Sequence, residues 1–329
     1  MFKVVVVDDR TNRRHEEEKR VLSSLDVDFQ VFNLTEESED FISSISDADA
    51  LLVNLTPITR TTIEQLTKCK IIARYGVGTD NIDIDAATEK KIWVTSVPNA
   101  AVEEVAIHSL AMMLSLNRHL FYTDKQVRAG RWNIAGERPV HRISGRKVGL
   151  VGFGATARQL AARLQNFGIS EMFMYDPYVD QALARRFGVK KVDQLVDLLP
   201  HVDYISLHVP STQETKYIIN HDTISMMKDG VILINTSRGS LIDEKALISA
   251  LESGKIAGAG LDVFEKEPIE LDNPLLKMDN VILSDHCAYY SVDAESEAKR
   301  VVAENVLRVL TGQCPDTPVN MVDNTCAKS

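Results

Sequence analysis

The feature that most restricts this chain is an alternation. Short apolar runs rich in β-branched residues recur along most of its length, and segments with helical spacing separate them. The series opens with "KVVVV" and a charged helix over about His15–Leu25. It continues through "FQVFN", a weaker helix near Glu39, "ALLVN", a helix near Thr61, "KIIAR", a short helix near Asp85 and "IWVTS". Runs that are apolar throughout belong to strands covered on both faces. Intervening helices supply the crossovers that parallel strands require, so the pattern predicts a parallel sheet with helices on both sides.

The pattern then restarts. "NAAVEEVAIHSLAMMLSLNRHL" places apolar residues at helical spacing from Val102 to Leu120 and reads as a helix at a domain boundary. The polar stretch "RAGRWNIAGERPVHRISGR" reads as an arm or loop. From Lys147 a second series runs through "KVGLV", "MFMYD", "YISLHV", "VILIN", "AGAGLDV" and "VILS". A final helix over about Ala294–Leu310 puts Val301, Val302, Val306 and Leu310 on one face. A chain of 329 residues suits two domains at about 150 residues each.

Charge narrows the function. Lys plus Arg number 37 and Asp plus Glu 47, a net −10, which argues against nucleic acid or an anionic membrane as partner. No run approaches the ~20 apolar residues of a membrane span. "MFKVVVVDDR" is too short in its apolar part for a secretory signal. The cysteines Cys69, Cys287, Cys314 and Cys326 are scattered without a CxxC pair. Neither a disulfide framework nor a structural zinc site is expected from them, and a reducing cytoplasm is.

"KVGLVGFGATARQLAARLQNFG" carries the most legible chemistry. A strand runs into Gly152-Phe153-Gly154, and a helix opens with Ala155, Thr156 and Ala157. This is GxGxxG with alanine at the third position, where only a small residue is needed. Gly152 permits the tight turn, Gly154 lets a pyrophosphate approach the backbone, and the helix N-terminus offers N–H groups to it. By itself such a loop is also compatible with an ordinary tight turn. The next strand, however, ends in Asp176, about 20 residues on, where a carboxylate accepts hydrogen bonds from the adenosine ribose. The same carboxylate would repel a 2′-phosphate, so the expected cofactor is NAD rather than NADP.

Polar residues collect where the second series of strands ends: His208-Val209-Pro210, Thr236-Ser237-Arg238-Gly239, Asp262 with Glu267 beyond it, and Asp285-His286-Cys287. In parallel α/β sheets ligands bind outside these carboxyl ends. Taken singly, Arg238 could be a surface arginine, Glu267 a solvated loop acid, His208 a strand cap and His286 a structural histidine.

Together, "RYGVGTDNID", "VPNAAVEEVA", "GFGATA", "YDPY", "NTSRGSLIDEKAL", "GLDVFEKEP" and "DHCAYYS" resemble, in this order, the D-isomer-specific 2-hydroxyacid dehydrogenases. The likeness runs from about residue 50 to 312. Within that family it looks closest to the branch containing the C-terminal binding proteins, NAD(H)-binding corepressors on a dehydrogenase fold. The resemblance implies two Rossmann-like domains: a doubly wound NAD-binding domain over 101–292, and a flavodoxin-like substrate domain over 1–100 joined by 293–329. The active site would lie in the cleft between them.

It also implies roles. Arg238 would clamp the substrate carboxylate, and His286 would be the acid/base, with Glu267 as its partner. Asp262 would contact the nicotinamide carboxamide. Thr215 and Ala288 would join Ala155, Thr156, His208, Val209, Pro210, Thr236 and Ser237 around the cofactor. Val77 and Gly78 would offer backbone N–H groups to the substrate, with Asn54 and Tyr289 lining its pocket. Cys287 reads as a small neighbour, and no metal is expected. Asp285 departs from the proline the family usually carries before the histidine, which bears on the shape of that loop. A homodimer through the cofactor domains is implied, with the stretch near Trp132 as an arm.

The chemistry requires these residue types. Reducing a 2-oxo acid takes a hydride from NADH and a proton for the forming alkoxide, which a histidinium supplies. The expected activity is therefore reversible hydride transfer between NADH and a small 2-oxo acid. The alternative is an NAD(H)-sensing binding protein like the corepressors; the enzyme is preferred because no long polar tail of their kind is seen. A serine-pathway phosphoglycerate dehydrogenase is disfavoured because no regulatory domain follows residue 329.

Overall fold

Val4, Val5, Val6 and Val7 are each at most 2% exposed, the burial that an uninterrupted apolar run demands. The first three close the first strand of the computed structural model, which describes residues 1–9, 14–34 and 38–322. The chain divides into two compact units. One comprises residues 1–101 together with the described residues from Ser291 onward, and the other residues 102–290.

In the first unit the elements run β1 (Phe2–Val6), α1 (Glu16–Leu22), β2 (Val27–Val31), α2 (Glu39–Ile45), β3 (Ala50–Val53), α3 (Arg60–Gln65), β4 (Ile71–Arg74), α4 (Ile84–Glu89) and β5 (Trp93–Thr95). Every pairing is parallel and the strand order is β2-β1-β3-β4-β5, the flavodoxin-like order. β2 starts two residues earlier than its most apolar stretch, because backbone pairing to β1 sets its limits.

The second unit holds α5 (Val102–Asn117), α6 (Leu120–Arg128), β6 (Lys147–Val151), α7 (Ala155–Leu164), β7 (Glu171–Tyr175), α8 (Gln181–Arg186), β8 (Val189–Val192), β9 (Tyr204–Leu207), α9 (His221–Met226), β10 (Val231–Asn235), α10 (Glu244–Ser253), β11 (Ile256–Leu261) and β12 (Val281–Leu283). Its seven strands are ordered β12-β11-β10-β9-β6-β7-β8. This is the doubly wound order of dinucleotide-binding folds with one strand added. β8, "VKKV", has no counterpart in the sequence reading: two lysines break its apolar run, and an edge strand has only one neighbour to satisfy. The long helix also ends earlier than its pattern suggests. His119 adopts φ +51, and α6 resumes after it.

The tail returns to the first unit as α11 (Val292–Leu310). The Ser291 side chain caps it by accepting the Ala294 N–H at 2.9 Å. α11 packs on α1 and β4, burying Val302, Ala303 and Val306. Asn320 then accepts the Val94 N–H at 2.8 Å and donates to the Ile92 carbonyl at 2.9 Å, sealing the approach to β5. Cys69 and Cys287 are free thiols, whereas Cys314 is disulfide-bonded, contrary to the sequence expectation; Cys326 lies outside the described residues. No described helix is long and apolar enough to cross a membrane.

Candidate active site

β6 and β9 are neighbours in the sheet although two strands separate them in sequence. This is the point where strand order reverses, and a crevice opens there between the loops that leave the two strands. The turn after β6 fits a dinucleotide. Gly152 has φ +91, and a Cβ on it would lie 2.6 Å from the His208 carbonyl oxygen, so the two loops meet at a distance only glycine allows. At Gly154 the situation is opposite: φ is −69 and a Cβ would meet nothing within 4 Å. Conformation does not require glycine there, but open space in front of the helix does if a ligand fills it. Gly154 is also the cap of α7 and brings no side chain to the first-turn N–H groups, which suits a pyrophosphate.

Asp176, after β7, closes the turn. Its Oδ2 accepts the Phe153 N–H at 2.8 Å and its Oδ1 accepts the Tyr178 N–H at 2.9 Å. A carboxylate has about four acceptor directions, so capacity is left for ribose hydroxyls. On the β9 side, burial pushes the His208 imidazole down to about 4, leaving it neutral at pH 7; its Nε2 lies 2.9 Å from Ser206 Oγ. The Thr215 hydroxyl donates to the Pro210 carbonyl at 2.6 Å and shapes this loop.

The end of β10 is folded back on itself. Asn235 Nδ2 donates to the Arg238 carbonyl at 2.8 Å, its Oδ1 accepts the Ser237 N–H at 3.1 Å, and the Ser237 hydroxyl donates to the Leu207 carbonyl at 2.7 Å. Arg238 is thereby presented on an ordered turn, and its Nη1 donates to the Ser237 carbonyl at 2.8 Å. Gly239 must follow, because a Cβ there would fall 1.9 Å from the Phe264 backbone.

Asp262, at the end of β11 and 1% exposed, organises the turn after β12. Its carbonyl accepts the His286 N–H at 2.8 Å. Its carboxylate accepts Ser284 Oγ–H at 2.6 Å, the Cys287 N–H at 2.9 Å and the Ala288 N–H at 3.0 Å. His286 sits between these anchors at φ +55, a left-handed conformation that histidine visits more readily than most residues. Its Nδ1 lies 2.7 Å from Glu267 Oε2, and Glu267 Oε1 accepts the Phe264 N–H at 3.0 Å. Burial alone would raise the Glu267 carboxyl. The His286 hydrogen bond and charge, the Phe264 N–H and the charge of Arg238 outweigh it, and the group is held below the ordinary carboxylate range. Burial and the neighbouring Asp285 and Asp262 push the Cys287 thiol up to about 11, so it is no nucleophile at neutral pH. Among the described residues no group of three or more His, Cys, Asp or Glu could hold a metal ion.

The profile described as "D-isomer specific 2-hydroxyacid dehydrogenase, NAD binding domain" matches residues 110–288, more than half of the chain. A glyoxylate reductase of Korarchaeum cryptofilum is 40% identical over 283 residues, covering 85% of this chain and 85% of that one. The chain belongs to the D-isomer specific 2-hydroxyacid dehydrogenase family. The D-3-phosphoglycerate dehydrogenase of Methanocaldococcus jannaschii is 38% identical over 322 residues, 98% of this chain but 60% of that protein; this chain thus spans three-fifths of that relative's length. The structure of the Aquifex aeolicus D-lactate dehydrogenase complexed with NAD and lactic acid superposes with a TM-score of 0.86 at 29% identity, covering 98% of this chain and 99% of that one. NAD is the cofactor that family membership and the glycine turn both call for.

In family terms, unit 102–290 brings Gly152, Gly154, Asp176, His208, Arg238, Asp262, Glu267 and His286 to the carboxyl ends of one sheet. The Ala288 N–H and three acceptor directions of Asp262 are already used within the turn, a role the sequence did not disclose. Thr236 is buried against Ser109 at 2.8 Å. Tyr289 packs edge-on against Tyr290. Asn54, Val77 and Gly78 belong to the other unit. There Asp8 accepts the N–H groups of Asn54, Leu55 and Thr56 at 2.6–2.9 Å, and Val77 is exposed on the loop after β4. Sequence reasoning missed His108 of α5, whose Nε2 lies 3.0 Å from Ser284 Oγ. Nothing in a helical pattern marks that histidine as different from any other half-buried one.

Proposed function

We propose that the protein is an NAD-dependent dehydrogenase that interconverts a small 2-oxo acid and its D-2-hydroxy acid. The observation that carries this reading is the Glu267–His286 pair, held at 2.7 Å on a turn whose backbone Asp262 grips, with the charge of Arg238 felt at the same carboxylate. Bound NADH supplies the hydride. The residues of the chain do the rest. His286 donates its Nδ1–H to Glu267, which fixes the ring, and its Nε2 gives a proton to the substrate carbonyl oxygen as the alkoxide forms. Arg238 takes the substrate carboxylate through its planar fork. In the oxidative direction His286 starts neutral and accepts the alcohol proton.

In this reading residues 101–292 hold the cofactor, with Asp176 accepting the ribose hydroxyls and Ala155 and Thr156 opening the phosphate-binding helix. Residues 1–100 with the returning tail carry the substrate loops, where Val77 and Gly78 meet its carboxylate and Asn54 its side chain; Tyr289, from the cofactor-holding residues, meets the side chain as well. The relatives are named for phosphoglycerate, glyoxylate and lactate, so the substrate class is drawn at small 2-oxo and 2-hydroxy acids. The test is NADH oxidation against a panel of 2-oxo acids, including glyoxylate, pyruvate and a phosphorylated member, with H286N alongside. Turnover that H286N abolishes while retaining NADH binding supports the reading. NADH binding with no turnover on any member overturns it in favour of a cofactor-sensing binding protein.

A further inference from the structure

We propose that His108 is a positioning residue for the proton donor, acting through Ser284 and Asp262. The inference rests on the reading of His286 as that donor. His108 projects from α5, and its Nε2 lies 3.0 Å from Ser284 Oγ. Ser284 Oγ lies 2.6 Å from Asp262 Oδ1. Counting protons fixes the direction of this chain. The Asp262 carboxylate already accepts the backbone N–H groups of Cys287 and Ala288, which can only donate. It is an acceptor at every contact, so the single proton of the Ser284 hydroxyl points to it. The Ser284 oxygen must then accept, and the donor is the Nε2–H of His108. The tautomer or the charged ring is thereby specified at that nitrogen.

The consequence reaches His286 because of what Asp262 holds. Its carbonyl and carboxylate bind the N–H groups of residues 286, 287 and 288 in succession, and His286 has φ +55 between them. A left-handed non-glycine residue persists only where its surroundings over-determine it. Among the described residues, Ser284 is the one side chain seen donating a hydrogen bond to Asp262; His108 Nε2, 3.9 Å from the same Oδ1 and out of hydrogen-bond reach of it, is what orients that hydroxyl. Without His108 the hydroxyl is free to rotate toward other acceptors, and the side of Asp262 that binds Cys287 loses its second donor. The neighbouring Ser109 does a parallel service for the turn after β10. Its hydroxyl donates to the Val105 carbonyl at 2.8 Å, so the Thr236 hydroxyl, 2.8 Å away, donates to it. Two consecutive residues of one helix thus brace two of the strand-end turns that carry the site. Among the described residues, the titratable groups that touch this chain are His108, Asp262 and Cys287, whose N–H binds Asp262, and neither Asp262 nor Cys287 is seen donating to Ser284.

The experiment compares H108L, H108Q, S284A, the double variant H108L/S284A and H286N in the full-length protein. Each is assayed for NADH binding by fluorescence, for melting temperature, and for kcat and KM in NADH oxidation with the best 2-oxo acid. H108L should lower kcat roughly tenfold or more, as misplaced catalytic groups do, with NADH affinity and KM little changed. H108Q presents an amide N–H near the position of Nε2 and should recover most of the loss, which a merely space-filling role would not predict. S284A should match H108L, and the double variant should be no worse than either, because both cut one chain. Wild-type kcat in H108L, additive losses in the double variant, or an H108Q as impaired as H108L overturns the inference. Should H108L fail to fold, H108Q and S284A decide: S284A at wild-type kcat overturns it. H286N separates the two levels: if it retains turnover, the reading of His286 itself falls, whereas an inactive H286N beside a fully active H108L removes only the role of His108.

Discussion

Replacing Glu267 by glutamine removes one charge and almost no volume, and its effect can be worked out from the contacts. Glu267 uses one oxygen for His286 Nδ1 at 2.7 Å and the other for the Phe264 N–H at 3.0 Å. Glutamine has only one oxygen. If it keeps Phe264, its amide N–H groups face Nδ1 and require that nitrogen to accept, which selects the neutral ring. If it turns to His286, the Phe264 N–H loses its acceptor. Both outcomes disfavour the histidinium. The pair is side-chain exposed to 26% and 32%, so solvent screening discounts it well below a buried ion pair; a charge-assisted hydrogen bond in this setting is worth ~1.5 kcal/mol. That is roughly tenfold in rate. The assay is kcat/KM for NADH oxidation by a 2-oxo acid at pH 7.5. Reduction needs the protonated ring, so E267Q should be roughly tenfold slower in that direction. Wild-type kcat/KM in E267Q would refute the coupling.

Gly154→Ala should leave the melting temperature unchanged, since its Cβ meets nothing within 4 Å, yet weaken NADH binding about tenfold by costing a hydrogen bond to a charged phosphate; wild-type affinity would remove the loop from the cofactor site. Asp176→Ala should narrow a strong preference for NADH over NADPH while lowering NADH affinity, because Asp176 also holds the Phe153 and Tyr178 N–H groups; equal efficiency with both cofactors in the unmodified protein would sink this. Arg238→Lys keeps the charge but not the fork, so kcat/KM should fall by ~2 kcal/mol, about thirtyfold, with NADH affinity little changed. His208 is held down to about 4. Between that value and the ordinary ~6.5 the unfolded chain binds a proton there that the folded chain does not, so stability falls as pH falls through this window. The full shift corresponds to ~3 kcal/mol at most, since the ring is only half-buried; chemical denaturation of H208L at pH 7 and pH 4.5 should show a smaller acid loss than the unmodified protein.

Much of the fold is legible in the residues because burial leaves a local trace. An apolar run such as Val4–Val7 can only be a strand covered on both faces, and alternation with helical spacing then implies parallel sheets. The glycine turn is legible for a similar reason: Gly152 and Asp176 mark a backbone that turns tightly between two strand ends. β8 is not, since "VKKV" at a sheet edge lacks the continuous run, and the end of α5 is not, since His119 breaks the helix by backbone conformation rather than by a proline or glycine signal.

What the sequence determined by itself was which groups to propose as reacting: an arginine, a glutamate and a histidine beyond strand ends, whose roles the family resemblance implies. Those types are required by the chemistry and recur in a recognisable order. What only the tertiary structure decided was how they are held. Glu267 and His286 are 19 residues apart in sequence and His108 and Ser284 are 176, and no local pattern couples such positions. Asp262 reads in sequence as one more strand-end acid. In the folded chain it is the acceptor that keeps the backbone of the histidine turn in its left-handed shape, because parallel pairing of β11 with β12 brings the two strand ends side by side. Hydrogen bonds of that kind depend on distances that arise only once the sheet has formed.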